Sequence, residues 1–309
     1  MAGPGRLLLA VVVLLAVDAA RGDPVTVVDA DGRTVALAAP ARRIVSLSPH
    51  LTEQLFAIGA GAQIVATVEW SDYPAGAREI PRVGSSSAVN DEVLLRQDPD
   101  LVVLWRSGNG AQLASRLRAL GLTVYVQEPR SIEDIPRELI KLGVLTGHRQ
   151  DAEAAAGRFT DKITALRDNY ESRAPVRVFQ QIWNQPMITL NGEHLMSDVI
   201  RLCGGHNIFA DAPALVVNTS REMVLIRDPE VIVISEADGA PPAWLGEWRQ
   251  WPGISAVANG QIHVIDPDLL HRHGPRIAEG AALMCDYIDR ARQARSTEPG
   301  APAPRTEPQ

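Results

Sequence analysis

One helix–turn–strand pattern occurs twice in the sequence, and this repeat constrains the fold more than any other feature. Residues 92–104 read EVLLRQDPDLVVL, and residues 222–234 read EMVLIRDPEVIVI. In each copy a helical segment precedes an Asp-Pro turn and a wholly apolar strand. Short apolar strands that alternate with helices indicate a parallel sheet that is covered on both faces. The repeat therefore predicts an α/β protein with two Rossmann-like lobes, each built on a parallel sheet.

The remaining segments follow the same alternation. Residues 25–38 predict a β-hairpin that turns at Asp31 and Gly32. Further strands are predicted at residues 43–47, 64–68, 101–105, 123–127, 177–183, 231–234 and 261–266. Helices are predicted near residues 49–59, 91–97, 111–120, 194–205 and 275–295.

A long helix is predicted between the two lobes. Apolar residues recur at helical spacing from Phe159 through Ile163 and Leu166 to Tyr170. The pattern indicates one helix of about 22 residues, roughly 33 Å long. We therefore expect an N-terminal lobe at residues 23–150, an inter-lobe helix at 151–173 and a C-terminal lobe at 174–295.

The two ends of the chain have compositions of their own. Arg6 precedes an apolar run at residues 7–17, and small residues follow it. A run of about 11 residues is too short to span a bilayer, which needs about 20, and the pattern is typical of a secretory signal peptide. We expect residues 1–22 to be cleaved on export. The tail at 296–309 is rich in Pro, Ala and Glu, which predicts disorder.

The cysteine content fits an exported protein. The chain has 2 cysteines, Cys203 and Cys285. In an oxidising compartment such a pair favours one disulfide, and two separate buried thiols are the alternative.

Charge and motifs exclude several classes of function. The formal net charge is −7 without a block of like charge, which argues against a nucleic-acid-binding protein. The sequence has neither a G-x-S-x-G nor a Walker A motif, so we expect no catalytic residues and no cofactor. His271 and His273 form an H-x-H pair, but no His-rich loop accompanies them, so we expect no metal site.

Aromatic residues mark the ends of three predicted strands. Trp70, Trp105 and Trp183 each stand at the end of a predicted strand, although aromatics make up 5% of the chain. Core filling is the simplest alternative for each of them. In open parallel sheets, however, ligands bind at the carboxyl ends of the strands. The three tryptophans therefore favour a broad, flat ligand that is held between the lobes.

Several segments resemble one known family over about residues 42–293. They are RIVSLSPHLTEQLFAIG, the W-S-D-Y-P loop at 70–74, DPDLVVLWRSGN, LCGGHNIF and SREMVL. They are similar to the periplasmic vitamin B12-binding proteins of bacterial cobalamin importers, which belong to the helical-backbone (class III) substrate-binding proteins. Heme and siderophore receptors share the long helix and the Asp-Pro turns. The family's disulfide implies the pairing of Cys203 with Cys285.

The resemblance implies a ligand site made from both lobes. Its predicted ligand-binding residues are Trp70, Tyr73, Trp105, Ser107, Gly108, Asn109, Trp183, Asp268, Leu269, Leu270, His271 and Arg272. The chain departs from the family at Leu269 and Leu270, which replace aromatics, and at His271, which replaces an acid. Ser86 and Val216 also replace family tryptophans.

The resemblance also implies partners and a location. It predicts a monomeric, non-enzymatic carrier that captures cobalamin in the periplasm and delivers it to an inner-membrane ABC transporter. Glu92 and Glu222 match the family glutamates that dock on arginines of the transmembrane subunits. A heme or ferric-siderophore binder of the same fold is the first alternative, and a secreted enzyme is the second.

Overall fold

The computed structural model describes residues 24–236 and 241–296. The predicted signal peptide lies outside these residues, as does the predicted disordered tail apart from Ser296, which ends the last helix. None of the helices within the described residues combines the length and the apolar character that a bilayer crossing requires.

The N-terminal lobe is built on a parallel sheet with the strand order β4-β3-β5-β6. A separate hairpin, β1–β2, precedes it and turns at Asp31 and Gly32 as predicted. The strands of this lobe are β1 (Val25–Val28), β2 (Thr34–Leu37), β3 (Ile44–Ser46), β4 (Ile64–Ala66), β5 (Leu101–Trp105) and β6 (Val124–Gln127). Its helices are α1 (Pro49–Ala57), α2 (Asp91–Leu95), α3 (Arg106–Asn109), α4 (Ala111–Ala119) and α5 (Asp134–Thr146).

The C-terminal lobe has a second parallel sheet, with the order β12-β11-β7-β9, and an antiparallel pair, β8–β10. Its strands are β7 (Val176–Gln181), β8 (Met187–Leu190), β9 (Gly205–Asn207), β10 (Val216–Thr219), β11 (Val231–Ser235) and β12 (Ile262–Ile265). Its helices are α7 (Leu195–Leu202), α8 (Arg221–Arg227), α9 (Ser255–Ala258) and α10 (Ile277–Ser296). The prediction of two α/β lobes with parallel sheets is confirmed.

A single long helix, α6 (Arg149–Tyr170), connects the lobes and packs against α5 and α10. It buries Phe159 and Ile163, two members of the predicted apolar stripe. The helix begins two residues before the predicted start, because α5 ends at Thr146 and the next residue, Gly147, reverses the chain in the left-handed conformation with φ of 79°. The lobe boundaries at 150 and 174 remain predictions.

The internal repeat has the same backbone conformation in both copies. Helices α2 and α8 each begin with a side-chain cap, from Asn90 and Ser220 respectively. Each copy then turns at an aspartate with positive φ, 46° at Asp98 and 41° at Asp228. Aspartate tolerates this region better than most residues, so it suits the position before each proline.

An arginine closes this turn in each lobe: Arg43, which immediately precedes β3, and Arg177 in β7. The Arg43 Nε donates to the carbonyl oxygen of Asp98 at 3.0 Å, and the Arg177 Nε donates to that of Asp228 at 2.6 Å. The backbone N–H of each arginine donates to the acid two residues after the turn aspartate, Asp100 or Glu230. The similarity between the lobes therefore extends beyond the helix–turn–strand segment.

The predicted disulfide joins Cys203 and Cys285. It connects the end of α7 to α10, and both residues are fully buried in the core of the C-terminal lobe. The bond ties α10 to α7, the first helix after β8.

Reducing this disulfide should lower the free energy of unfolding by about 4 kcal/mol, because it releases a long loop in the unfolded chain. The cysteines lie 82 positions apart. Urea unfolding with and without a reductant measures the effect, and the variant Cys203→Ala/Cys285→Ala should be insensitive to the reductant. Thiol labelling of the unreduced, denatured protein should find no free thiol, and two labelled cysteines would contradict the pairing.

Candidate functional site

The lobes face each other at the carboxyl ends of their sheets, where a cavity of about 670 Å³ lies between them. Trp105 is the last residue of β5, and it lines the cavity from the N-terminal lobe. The lining residues are Trp105, Ser107, Glu128, Pro129, Arg130, Glu193, His194, Leu195, Leu215, Val216 and His273. A cleft at the carboxyl ends of parallel strands is the usual ligand position in this architecture.

The segment after Trp105 fixes that side chain in place. Asn109 is buried; its Oδ1 accepts the Trp105 N–H at 2.7 Å, and its Nδ2 donates to the carbonyl oxygens of Leu47 and Ser86, both at 2.7 Å. A Cβ on Gly108 would lie 2.1 Å from the Trp105 ring, so the close approach requires glycine. The segment forms the short helix α3, so the predicted site residues Ser107, Gly108 and Asn109 lie on one helical turn directly after β5.

Ser107 binds a carboxylate at the rim of the cavity. Its backbone N–H donates to Glu128 Oε2 at 3.0 Å, and its hydroxyl donates to Glu128 Oε1. Ser107 is exposed, so the pair presents polar groups to the cavity.

Imidazole rings from both lobes meet beside Trp105. The ring centroid of Trp105 lies 5.1 Å from that of His50 in α1 and 5.1 Å from that of His273. The His194 ring lies 5.8 Å from His273. Gln54 Nε2 donates to the backbone oxygen of His273 at 2.7 Å, which links the lobes directly.

These imidazoles are neutral at neutral pH. Burial lowers the pKa of His273 to about 3, with a further contribution from neighbouring histidines. Burial likewise lowers the pKa of His194 to about 4 and that of His50 well below its ordinary value. Within the described ranges, no group of three or more His, Cys, Asp or Glu residues is arranged to hold a metal ion.

Arg272 occupies the centre of a second group of contacts between the lobes. Its guanidinium pairs with Glu53 at 2.9 Å, Asp72 at 2.8 Å and Asp268 at 2.8 Å. Glu53 also pairs with Arg276 at 3.2 Å, and its side chain is 2% exposed. The predicted site residues Asp268 and Arg272 therefore pair directly with each other, and Arg272 also pairs with two carboxylates of the N-terminal lobe.

Tyr73 lies beside this ion-pair group and outside the larger cavity. The Arg276 guanidinium stacks over its ring at 4.2 Å. Tyr73 and Glu53 also line a smaller cavity of about 330 Å³ next to α6.

Trp70 and Trp183 follow their strands as predicted, and both are strongly exposed. Trp70 is 77% exposed, with a backbone φ of 65°, and Trp183 is 61% exposed. Neither side chain contributes to the lining of the larger cavity. Trp248, by contrast, is fully buried against Phe179 and belongs to the core of the C-terminal lobe.

The predicted segment 269–271 faces mainly inward. Leu270 is fully buried in the core, and His271 Nε2 bonds to the Ser235 hydroxyl at 2.9 Å. Leu269 is half-buried. None of these three positions lines the larger cavity, and their ligand contacts remain predictions.

The predicted site leaves out most of the lining residues, namely Glu128, Pro129, Arg130, Glu193, His194, Leu195, Leu215 and His273, and also His50 beside Trp105. His50 lies in the first turn of α1, and His194 caps α7; neither has a sequence signal beyond its residue type. His273 does have one, the H-x-H pair, but that pattern was interpreted only as a possible metal site.

Glu92 and Glu222 are both exposed, in the first turns of α2 and α8. A hydrogen bond from the Ser220 side chain lowers the pKa of Glu222. The two carboxylates occupy equivalent positions of the internal repeat, one on each lobe.

Comparison with known proteins places the chain in a family. The family described as periplasmic binding protein matches residues 44–269. A vitamin B12-binding protein of Vibrio cholerae is 37% identical over 253 residues, which cover 81% of this chain and 90% of that protein. A vitamin B12-binding protein of Yersinia pestis is 37% identical over 252 residues, which cover 80% and 86% respectively.

Solved structures agree with this assignment. The periplasmic vitamin B12-binding protein BtuF of Vibrio cholerae matches with a TM-score of 0.76 and 36% identity over 82% of this chain and 99% of that one. The heme-binding protein RhuT of a Roseiflexus species matches with a TM-score of 0.72 at 23% identity over 81% and 99%, a likeness of fold alone. The chain therefore belongs to the periplasmic binding protein family, in its class III form with two α/β lobes joined by one long helix.

Proposed function

We propose that this chain captures cobalamin in the periplasm and delivers it to an inner-membrane ABC importer. The cleft between the lobes is the observation that carries this proposal. It combines a fixed tryptophan with a polar rim, in a chain that is 37% identical to a vitamin B12-binding protein of Vibrio cholerae.

The cleft suits a broad ligand with an apolar face and a polar fringe. Its volume of about 670 Å³ is in the range of small-molecule sites, about 300–1,000 Å³. Trp105 offers a flat apolar surface, and Ser107 with Glu128 offers hydrogen-bonding groups at the rim.

The contact between Ser235 and His271 fits a carrier protein better than a hydrolase. Ser235 and His271 are hydrogen-bonded at 2.9 Å, the arrangement of a nucleophile and its base. However, Ser235 is buried, and within the described residues His271 makes no hydrogen bond to a carboxylate that would orient it. The pair joins β11 to the segment after β12.

Titration with cobalamin, followed by visible absorption, tests the proposal, with hemin as the competing ligand. Trp105→Ala should weaken cobalamin binding by about 1–3 kcal/mol through the loss of aromatic contact. The control Trp248→Phe should lower stability and leave affinity unchanged, since Trp248 is core.

The outcomes separate the alternatives. If the protein bound hemin and did not bind cobalamin, the alternative function as a heme-binding protein would be favoured. Full cobalamin affinity in folded Trp105→Ala, with reduced stability, would assign Trp105 to the core.

A further inference from the structure

The smaller cavity, of about 330 Å³, shares no lining residue with the cleft between the lobes. Its wall is built by the segments before α6, by α6 itself and by the segment after β12. The lining residues are Glu53, Phe56, Ala57, Tyr73, Pro74, Ala155, Arg158, Phe159, Lys162, Pro275, Arg276 and Glu279. The volume is at the lower end of the range for small-molecule sites, about 300–1,000 Å³.

Two cations of α6 line this cavity without an acidic partner. Arg158 and Lys162 are four positions apart on the helix, and both are exposed. Within the part of the chain that the structure describes, neither side chain forms an ion pair, and like charges at this spacing repel each other. The other two basic residues of α6, Arg149 and Arg167, lie outside the cavity, and each pairs with a glutamate four positions further along. The unpaired positive charge of this helix therefore lies at the cavity.

Arg276 adds a third cation, whose position is fixed by its neighbours. Its guanidinium lies 4.2 Å from the centre of the Tyr73 ring, and its Nη1 pairs with Glu53 Oε1 at 3.2 Å. Arg272 also pairs with Glu53, at 2.9 Å, so the charge of this carboxylate is already compensated. A guanidinium carries several N–H donors, and those that Glu53 does not use remain for another acceptor.

The rest of the wall is mainly apolar, with one free acid. The apolar side chains are those of Phe56, Ala57, Tyr73, Pro74, Ala155, Phe159 and Pro275. Aromatic and proline side chains pack against a ring or a short hydrocarbon group rather than a hydrated inorganic ion. Glu279 is exposed and, among the described residues, has no ion-pair partner. Three cations against this one uncompensated acid leave the wall positive.

We propose that this cavity is a second binding site, which takes a small organic anion with an apolar body, such as an aromatic carboxylate. Its carboxylate pairs with Arg158 and Lys162 and accepts a hydrogen bond from Arg276, since charge-assisted contacts of this kind are the strong ones. Its ring packs against the aromatic part of the wall. The site is separate from the cleft, so the proposal does not depend on what the cleft binds.

Isothermal titration calorimetry with 2-naphthoate tests the proposal, with the neutral 2-naphthamide as the matched probe. Naphthoate should bind the wild-type protein, and naphthamide should bind at least about tenfold more weakly, because it lacks the charge that the cations recognise. Arg158→Gln with Lys162→Gln should lower naphthoate affinity by a similar factor and leave naphthamide affinity unchanged. Both residues are exposed, so the variant should fold.

Three further variants locate the bound probe. Arg149→Gln with Arg167→Gln removes the same charge from α6 outside the cavity, and it should retain naphthoate affinity. Glu279→Gln removes the uncompensated acid and should raise naphthoate affinity by about two- to fivefold. Trp105→Ala changes the cleft between the lobes and should leave naphthoate affinity unchanged.

Absence of naphthoate binding, or equal affinity for naphthoate and naphthamide, would overturn the proposal. Equal losses in Arg158→Gln/Lys162→Gln and in Arg149→Gln/Arg167→Gln would do the same, because binding would then depend on net charge alone. A loss of naphthoate binding in folded Trp105→Ala would place the probe in the cleft and would also contradict the proposed site.

Discussion

Reversing the charge on both lobes, with Glu92→Arg and Glu222→Arg, is expected to abolish binding to the importer and leave cobalamin affinity unchanged. Both carboxylates are exposed, and they occupy equivalent positions on the two lobes. A partner with two equivalent halves would contact both, and arginine–carboxylate pairs give such contacts orientation as well as attraction. Complex formation with the reconstituted transporter and cobalamin uptake by cells are the measurements, and each single reversal should give a partial loss.

The control for this experiment is Asp161→Arg with Asp168→Arg, which changes the net charge equally on the exposed face of α6. It should retain transporter binding. The competing interpretation is that Glu92 and Glu222 only stabilise the helix ends, worth about 0.3–1 kcal/mol each. If Glu92→Arg/Glu222→Arg bound the transporter with wild-type affinity and was only less stable, the helix-stabilising interpretation would be the one that remains.

Arg272→Met is expected to lower the free energy of unfolding at neutral pH by about 3–5 kcal/mol, the usual cost of removing one partner of a buried ion pair. The substitution leaves Glu53, Asp72 and Asp268 close together without the cation that they share. The matched control is Arg290→Met, which removes an exposed pair with Asp286 and should cost about 0–1 kcal/mol.

The deficit of Arg272→Met should shrink on acidification. Burial already raises the pKa of Glu53, against the opposing effect of Arg272 and Arg276, and it raises that of Asp268. Removing Arg272 raises the pKa values of Glu53 and Asp268 further. On acidification from pH 7, the native state therefore binds protons at a higher pH than the unfolded chain does. Stability of the variant therefore increases as the pH falls from 7 toward about 4, the ordinary carboxyl pKa. Urea unfolding at several pH values checks this, and a constant deficit would contradict it.

The sequence predicted what depends on local pattern. The apolar run at β5 ends at Trp105, and its place at a strand exit follows from the alternation of strands and helices. The missed helix α5 has a local cause: Pro136 resembles a helix breaker but lies in the first turn, where its missing N–H costs nothing. Asp134 completes that start by accepting the N–H of Ser131 at 2.8 Å.

The contacts between the two lobes could not be predicted from local sequence pattern. Gln54 and His273 are 219 positions apart, and they meet only because the lobes close on each other. No local pattern states which side chain of one lobe faces which side chain of the other. Leu270 shows the same limit: it lies at the end of a short 3₁₀ turn, where the spacing does not reveal that it points into the core.

The arginine-closed turns suggest how such a chain arose. Duplication of one ancestral lobe explains why Arg43 and Arg177 make the same contacts at the amino ends of β5 and β11. The carboxyl ends of those strands have diverged, to Trp105 in one lobe and Ser235 in the other. If the two lobes were separate copies of one polypeptide, every substitution would occur in both. Because α6 joins the lobes in one chain, a substitution in one lobe leaves the other unchanged, so the ligand side can be asymmetric while the opposite side stays symmetric.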